Sequence, residues 1–408
     1  MVAGAVGNVI EWYDFGVYGY LAVVISSVFF SAGSTQLLLT FATFGVGFFM
    51  RPIGSIVIGH FGDRFGRRPA LMFTVLVMAI STCLVGLIPS YATIGVWAPV
   101  ALVIVRLIQG FSAGGEWGGS ASFLVEYAKR RRGFIGSWQQ FSIVLSILIA
   151  AGVGAAVSLL PHDALYSWGW RIPFLVGIIA APVGVYLRYG VPDTPKYQEV
   201  QRTRTVERAP LVEIFRTEWR TILKAFGFTI VWTVAYYIYL TYLPTYLETE
   251  VGFSKASALI VTVIEVAFLC LLIPFMGALS DRVGRKPMLL ASCILFIILP
   301  YPLFVVVGVS FPVTIIIALV FAASISLFSG PGPAAIAELF PTRVRYSALS
   351  IPYNIATAIF GGFAPFIATL LITLTGQRLS PTFYVIAAAI VSFLTILTFR
   401  ETAREALR

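Results

Sequence analysis

The sequence predicts an all-α membrane protein with twelve transmembrane helices in two six-helix, pseudo-symmetric halves. Three observations carry this prediction. First, 59% of the 408 residues are hydrophobic and only 11% are charged, with a mean hydropathy of +0.92. A soluble domain is about 25% charged, so an ordinary cytosolic enzyme is excluded. Second, the apolar residues fall into about a dozen runs near the ~20 residues that a helix needs to cross a bilayer. Third, one charged connector motif occurs twice, six spans apart.

Taken in order, the apolar runs place spans at 4–30, 36–60, 69–89, 96–122, 133–159, 171–190, 221–247, 256–279, 288–308, 311–337, 345–374 and 381–399. Runs such as Leu289–Val309 are continuous rather than alternating, which excludes an outer-membrane barrel. The longest polar stretch, 191–220, contains Pro192, Pro195 and Pro210 among mixed charges. It divides the chain into an N-terminal half (1–190), a cytoplasmic linker (191–220) and a C-terminal half (221–408). Cys83, Cys270 and Cys293 lie in apolar runs without spaced partners, so neither a disulfide framework nor a metal site is expected, and no cofactor. The first run lacks a basic region and an A-x-A site, so no cleavable signal peptide is expected.

The net charge of +10 does not point to nucleic acid, because the basic residues sit in connectors. With the N-terminus inside, 23 of the 28 basic residues fall in inner connectors and 3 in outer ones, Arg171, Lys255 and Arg378. Positive charge marks the cytoplasmic side, so both termini are expected in the cytoplasm of a multi-pass inner (plasma) membrane protein. Lys129–Arg132 reads as a topology anchor or a headgroup contact. The expected partners are a lipid bilayer, a small-molecule substrate and protons, and the expected state is a monomer.

The repeated connector reads Gly59-His-Phe-Gly-Asp63-Arg64-Phe-Gly66-Arg67-Arg68-Pro69 after span 2 and Gly277-Ala-Leu-Ser-Asp281-Arg282-Val-Gly284-Arg285-Lys286-Pro287 after span 8. A second echo pairs Glu126 and Arg130–Arg132 with Glu338, Arg343 and Arg345. Since an even number of spans separates the copies, the halves are parallel repeats about an axis along the membrane normal. The connector resembles the signature of the major facilitator superfamily, which implies the major facilitator fold and alternating access. Four blocks resemble the metabolite:proton symporter family. They are Gly7-Asn8-Val-Ile-Glu11-Trp12-Tyr-Asp14-Phe15-Gly-Val-Tyr18-Gly, Gln109-Gly110-Phe-Ser-Ala-Gly114-Gly115-Glu116, Trp168-Gly-Trp170-Arg171-Ile-Pro173-Phe and Ala337-Glu338-Leu-Phe-Pro341-Thr-Arg343-Val-Arg345. The stretch from Tyr236 to Leu247 and Arg345-Tyr346-Ser-Ala-Leu are most similar to proline/betaine symporters within it, while citrate and ketoglutarate symporters are similar through the first half. With Arg408 as the last residue, the coiled-coil tail of some of those osmoregulators is not expected.

Charges inside a span are costly and mark functional hypotheses. Glu11 and Asp14 share one helix face with Tyr18, and one of the two acids can carry a proton; alternatively they hydrogen-bond neighbouring helix ends. Arg106, in an R-L-x-Q-G setting that resembles a superfamily motif linked to proton transfer, is read as the one arginine well inside a span, with Arg51 at the edge of another. It can meet a substrate carboxylate, pair with Glu11, Asp14 or Glu116, or form a structural pair. Glu265 in span 8 can bind a cationic group, face water or sit near the interface. Trp232, Tyr236 and Tyr239 fall at i, i+4 and i+7 as one stripe, and Trp138 opens span 5. Such aromatics either hold a quaternary ammonium or pack and anchor. Tyr18, Gln109, Tyr353 and Asn354 complete the substrate candidates. Asp63 and Asp281 are expected to pair with loop arginines or helix N-termini as a gate, with Glu126 and Glu338 as complementary parts, through surface pairs worth about 1 kcal/mol or less.

These features point to a proton-coupled importer of a small zwitterion such as proline or glycine betaine. The alternatives are a di- or tricarboxylate symporter and, less favoured, a drug or metabolite exporter, since Ala151-Gly152-Val-Gly154-Ala155 lacks the proline of the drug-antiporter motif. No P-loop, zinc motif or Ser/His/Asp set suggests an enzyme.

Overall fold

The computed structural model describes the backbone of residues 2–31, 33–65, 67–114, 116–128, 131–177, 211–341, 345–405 and 407, and the side chains of these except 2–10, 59–65, 67–71, 116, 119, 123, 127, 211–216, 346 and 347. The described residues are almost wholly helical. The N-terminal half contains α1 (Val2–Tyr20), α2 (Ala22–Phe29), α3 (Gln36–Phe65), α4 (Arg67–Leu87), α5 (Trp97–Ala113), α6 (Glu116–Tyr127) and α7 (Arg132–Val157). The C-terminal half contains α8 (Leu211–Ala235), α9 (Leu243–Thr249), α10 (Lys255–Val283), α11 (Arg285–Ile298), α12 (Pro300–Val306), α13 (Phe311–Ser329), α14 (Gly332–Glu338), α15 (Arg345–Ala356), α16 (Ala364–Thr375) and α17 (Ser380–Leu397).

Seven spans are single helices long and apolar enough to cross a bilayer, two more are bent pairs (α1 with α2 at 74°, α11 with α12 at 48°), and Met72–Leu87 and Trp97–Ala113 are shorter apolar helices. These match the predicted spans except the sixth, which starts as helix at Arg171 and passes outside the described residues after Gly177. The second bend follows from Pro300, which has no N–H to continue the ladder. Serine caps start two spans: Ser254 accepts from the Ser257 N–H and Ser310 from the Val313 N–H.

Without a hydrophobic drive between helices in lipid, close packing decides how they associate, and small residues permit it. Gly110 lies against the Gly47 carbonyl, Gly54 against the Phe111 carbonyl and Gly114 against the Arg51 carbonyl, so α3 and α5 meet backbone to backbone. Across the two halves, Gly133 on α7 meets the Gly277 carbonyl on α10. Further along this pair, Gly154 of α7 lies near Leu259 of α10, so the seam runs much of the length of both helices. Spans 2 and 11 close against each other through Gly45 and Phe49 on Phe363, and Phe48 on Gly362.

Two spans carry π-helical stretches, Tyr236–Tyr242 between α8 and α9, and Thr357–Gly362 between α15 and α16. Both sit mid-span, where such widened turns commonly mark functional positions. The first consists of seven buried residues.

The α3–α5 contact makes a direct prediction. Gly110→Leu is expected to force the backbones apart, a cost of at least about 1–3 kcal/mol for overpacking. Size-exclusion and thermal unfolding in detergent should show a lost or destabilised monodisperse species, whereas Gly152→Ala, at a site with open space around it, should leave both unchanged.

Candidate functional site

Four charges buried within the N-terminal spans form two ion pairs. Arg51 Nη2 donates to Glu11 Oε1 at 2.7 Å and Arg106 Nη1 to Asp14 Oδ2 at 2.6 Å. Arg51, fully buried, is thus a second arginine inside the membrane, which corrects its reading as an edge residue. Its guanidinium lies 4.5 Å from the Phe48 ring, 4.9 Å from Phe15 and 5.4 Å from Trp12, and aromatic faces compensate a cation that lipid cannot solvate. Arg106 lies 3.9 Å over Tyr18, whose hydroxyl donates to the Thr40 carbonyl. Tyr18 therefore supports Arg106 from within its own half. Arg106 Nε and Nη2, and Arg51 Nε and Nη1, have no hydrogen-bond partner among the described residues.

A narrow cavity lies where the halves meet, lined by Trp12, Gln140, Trp232, Thr233, Tyr236, Tyr237 and Tyr353. Its free space is about 10 Å³, room for about one water molecule. Its walls must therefore part for a ligand to fit. Trp12 sits 5.8 Å edge-on to Tyr236 and 6.2 Å from Tyr237. Tyr353 stacks on Trp117 at 3.4 Å, and Trp232 Nε1 donates to Ser329 Oγ at 2.9 Å. Arg51 lies 5.4 Å from the ring of Trp12, a lining residue, so its pair with Glu11 stands beside the cavity wall.

The structure separates several residues that the sequence groups. Trp232 and Tyr236 line the cavity, but Tyr239 stacks on Phe321 at 3.9 Å, away from it. The wide π-turn takes Tyr239 off the i, i+4, i+7 stripe, while Tyr237, one turn after Thr233, joins the lining. Trp138 is 41% exposed and packs on Phe134 and Phe141 on the outside of the bundle, which corrects its place among the substrate residues. Gln109 donates to Thr82, and Asn354 to the Gly114 carbonyl across the halves. Glu265 is fully buried outside the cavity lining. The side chain of Glu116 lies outside the described residues. Trp12, Gln140, Thr233 and Tyr237 were missed. Gln140, a polar residue inside an apolar span, carried the signal that could have found it.

At the end of the bundle that carries the basic connectors, the second motif copy ties the halves together. Asp281 accepts from the Gly133 and Phe134 N–H groups, both at 2.9 Å. An anion thus satisfies two orphan donors at the start of α7. Arg285 Nη2 pairs with Asp281 at 2.8 Å and lies 3.5 Å from Glu338, while Arg132 pairs with Glu338 at 3.2 Å and Arg345 with Glu126 at 2.9 Å. The expectation of weak surface pairs is corrected for Arg285 and Glu338, whose side chains are 3% and 2% exposed: desolvation makes such pairs costly to break one-sidedly. Gly284 has φ +112° against the Glu401 carboxylate, a backbone that a side chain would strain. Arg282 is exposed. Gly59, Asp63, Arg64, Gly66, Arg67 and Arg343 lie outside the described side chains.

The segment after α17 straps this network. Glu401 accepts from the Arg285 and Lys286 N–H groups at 2.9 Å, Thr402 bonds Glu338, and Arg132 Nη2 donates to the Glu405 carbonyl. Arg285 thus anchors both the strap and the latch.

The first 212 residues match the family model described as "Sugar (and other) transporter", and residues 247–408 match that of the Major Facilitator Superfamily. The chain belongs to the major facilitator superfamily. It is 36% identical to the proline/betaine transporter of Escherichia coli (strain K12) over 427 residues, covering 100% of this chain and 84% of that one. It is likewise 36% identical to the glycine betaine/proline/ectoine/pipecolic acid transporter of Dickeya dadantii, covering 100% and 84%, and 37% identical to the citrate-proton symporter of Klebsiella pneumoniae, covering 97% and 90%. A crystal structure of the D-xylose-proton symporter superposes with a TM-score of 0.79 at 20% identity, covering 100% of this chain and 98% of that one, which shows the fold. The molecule is a multi-pass membrane transporter with twelve transmembrane helices in two six-helix halves.

The strap responds to acid in a defined sense. Burial opposes the charge of Glu401, but the N–H groups of Arg285, Ala403, Lys286 and Thr402 outweigh it and hold the carboxyl below its ordinary value of 4.5. The folded state thus gains stability that is complete above pH 4.5 and lost as pH falls through the lowered value. Protection of the 399–405 amides against hydrogen exchange, corrected for intrinsic rate, should be constant from pH 7 to 5 and fall below 4.5. Glu401→Gln should weaken it at pH 7 and remove the acid step.

Proposed function

We propose that this transporter is a proton-coupled importer of a small zwitterion, such as proline or glycine betaine, working by alternating access. The observation that carries this reading is the cavity between the halves, walled by five aromatic side chains and flanked by the Glu11–Arg51 pair. Aromatic faces suit a quaternary or secondary ammonium, and Arg51, with donors left over, suits a carboxylate. The proline/betaine relatives, matched over the whole chain, support the same substrate class.

In this reading Asp14, paired with Arg106, carries the coupled proton, since removing or adding a proton there changes whether the arginine is balanced. Glu116 remains a candidate for the same relay on sequence grounds. Trp12, Trp232, Tyr236, Tyr237 and Tyr353 enclose the substrate, with Gln140 as a polar contact. Asp281, Arg285, Glu338, Arg132, Glu126 and Arg345, with Asp63, Arg64, Arg67 and Arg343 as counterparts in the repeat, form the gate. The basic end is assigned to the cytoplasm, so that both termini are cytoplasmic in an inner membrane and the gate seals the inner side. The halves are taken as 1–190 and 221–408, joined by a linker at 191–220, and the protein as a monomer in lipid.

A second reading is a proton symporter of a di- or tricarboxylate. Two buried arginines rather than one, and the citrate-proton relative, favour it.

In proteoliposomes, an inward proton gradient should drive uptake of proline or glycine betaine, and a protonophore should abolish accumulation. Saturable citrate uptake without competition from either zwitterion would select the second reading, and uptake that follows sodium and ignores the protonophore would refute the coupling. Asp14→Asn is expected to abolish accumulation while retaining substrate exchange, which needs no net proton movement. Tyr236→Ala should weaken zwitterion binding by about 1–2 kcal/mol, the scale of a desolvated cation–π contact.

A further inference from the structure

Among the buried acids of the spans, Glu265 stands apart. Glu11 and Asp14 each face an arginine, but both carboxylate oxygens of Glu265 are buried without a hydrogen-bond partner among the described residues. Its neighbours are also unsatisfied. The hydroxyls of Tyr20, at the end of α1, and Tyr239, in the π-turn of span 7, are buried without partners among the described residues. Gly19 of α1 lies against Thr241 of the π-turn, and Tyr20 and Leu259 of α10 both lie against Gly154, which brings these elements together within electrostatic reach of Glu265. Tyr20 belongs to the N-terminal half, while Tyr239 and Glu265 belong to the other. The cluster therefore lies on the seam that must open and close. It lies behind the cavity wall rather than in it, since Tyr239 shares the π-turn with the lining residue Tyr236.

A buried carboxylate without a counter-charge is costly, so the group holds a proton until something positive arrives to replace it. A hard metal ion is a poor fit: calcium takes six to eight oxygen ligands, and no group of three or more acidic, His or Cys side chains that could hold a metal occurs among the described residues. Around Glu265 the chemistry is one carboxylate, two phenol hydroxyls and aromatic faces, with the Tyr239 ring backed by Phe321, Phe296 and Phe304. This is the chemistry that recognises an organic ammonium.

We propose that Glu265, with Tyr20 and Tyr239, is the site that receives the positive end of the transported zwitterion, on the C-terminal half opposite the two arginines of the N-terminal half. The assignment rests on the zwitterion reading above and deepens it. It makes Glu265 a specificity residue for positive charge rather than for molecular shape.

The test compares glycine betaine with 3,3-dimethylbutanoate, the same shape with carbon in place of the quaternary nitrogen. Binding to purified protein can be followed through the fluorescence of the cavity tryptophans. The wild type should bind betaine at least about tenfold more tightly than the isostere. Glu265→Gln should lose that preference while still binding the isostere, which also shows that the variant is folded. Undiminished preference in Glu265→Gln would overturn the proposal, including the case in which only proton-driven accumulation is lost, which would make Glu265 a proton site. Should Glu265→Gln bind neither ligand, Tyr239→Leu decides: reduced preference supports the proposal and unchanged preference overturns it. A wild type that binds no zwitterion would instead refute the substrate reading itself.

Discussion

A charge placed in hydrocarbon has to find its counter-charge inside the protein, and the N-terminal half is organised by that constraint. Two acids on α1 reach two arginines on different spans, Glu11 to Arg51 on α3 and Asp14 to Arg106 on α5. Three spans are thereby tied to one another by contacts that neither water nor lipid can replace. Losing one partner strands the other, at a cost of about 3–5 kcal/mol for a buried pair. The glycine contacts between α3 and α5 keep these arginines at a fixed depth. Electrostatics and close packing thus specify the same arrangement.

The two ends and the middle of the molecule use different physics. The middle is aromatic and closely packed. The basic end is a polar lattice in which Asp281 bridges two backbone N–H groups of one half and an arginine of the other. Such a lattice can dissolve into water when the halves rock apart, because every member gains solvent as it loses a partner. The intramembrane pairs have no such exit into water, and both partners of each lie within one half. An alternating-access machine needs both kinds of contact.

Much of this was legible in the sequence. Hydropathy located the spans because a bilayer imposes both length and composition, and the duplicated Asp-Arg connector revealed the parallel halves. Glu11, Asp14 and Arg106 were found because charge inside an apolar run is conspicuous. Arg51 was underweighted, since distance along a run does not measure depth once Pro52 and the glycine contacts set the path of α3. Trp138 was misplaced because periodicity cannot tell a lipid-facing ring from a cavity-facing one. Tyr239 was misplaced because an α-helical register was assumed where the chain makes a π-turn. The first copy of the connector falls outside the described side chains, so its pairing rests on the repeat alone.

The π-turn at Tyr236–Tyr242 holds one more residue per turn than its flanking helices need. It is slack in the register. Were the extra residue passed along the helix, the segment would turn by roughly 100°, the angle between successive α-helical residues. A different tyrosine would then face the centre while both ends of the span stayed where they are. The lining of the passage can in this way be re-dealt by a local slippage within one helix, separate from the tilting of the two halves.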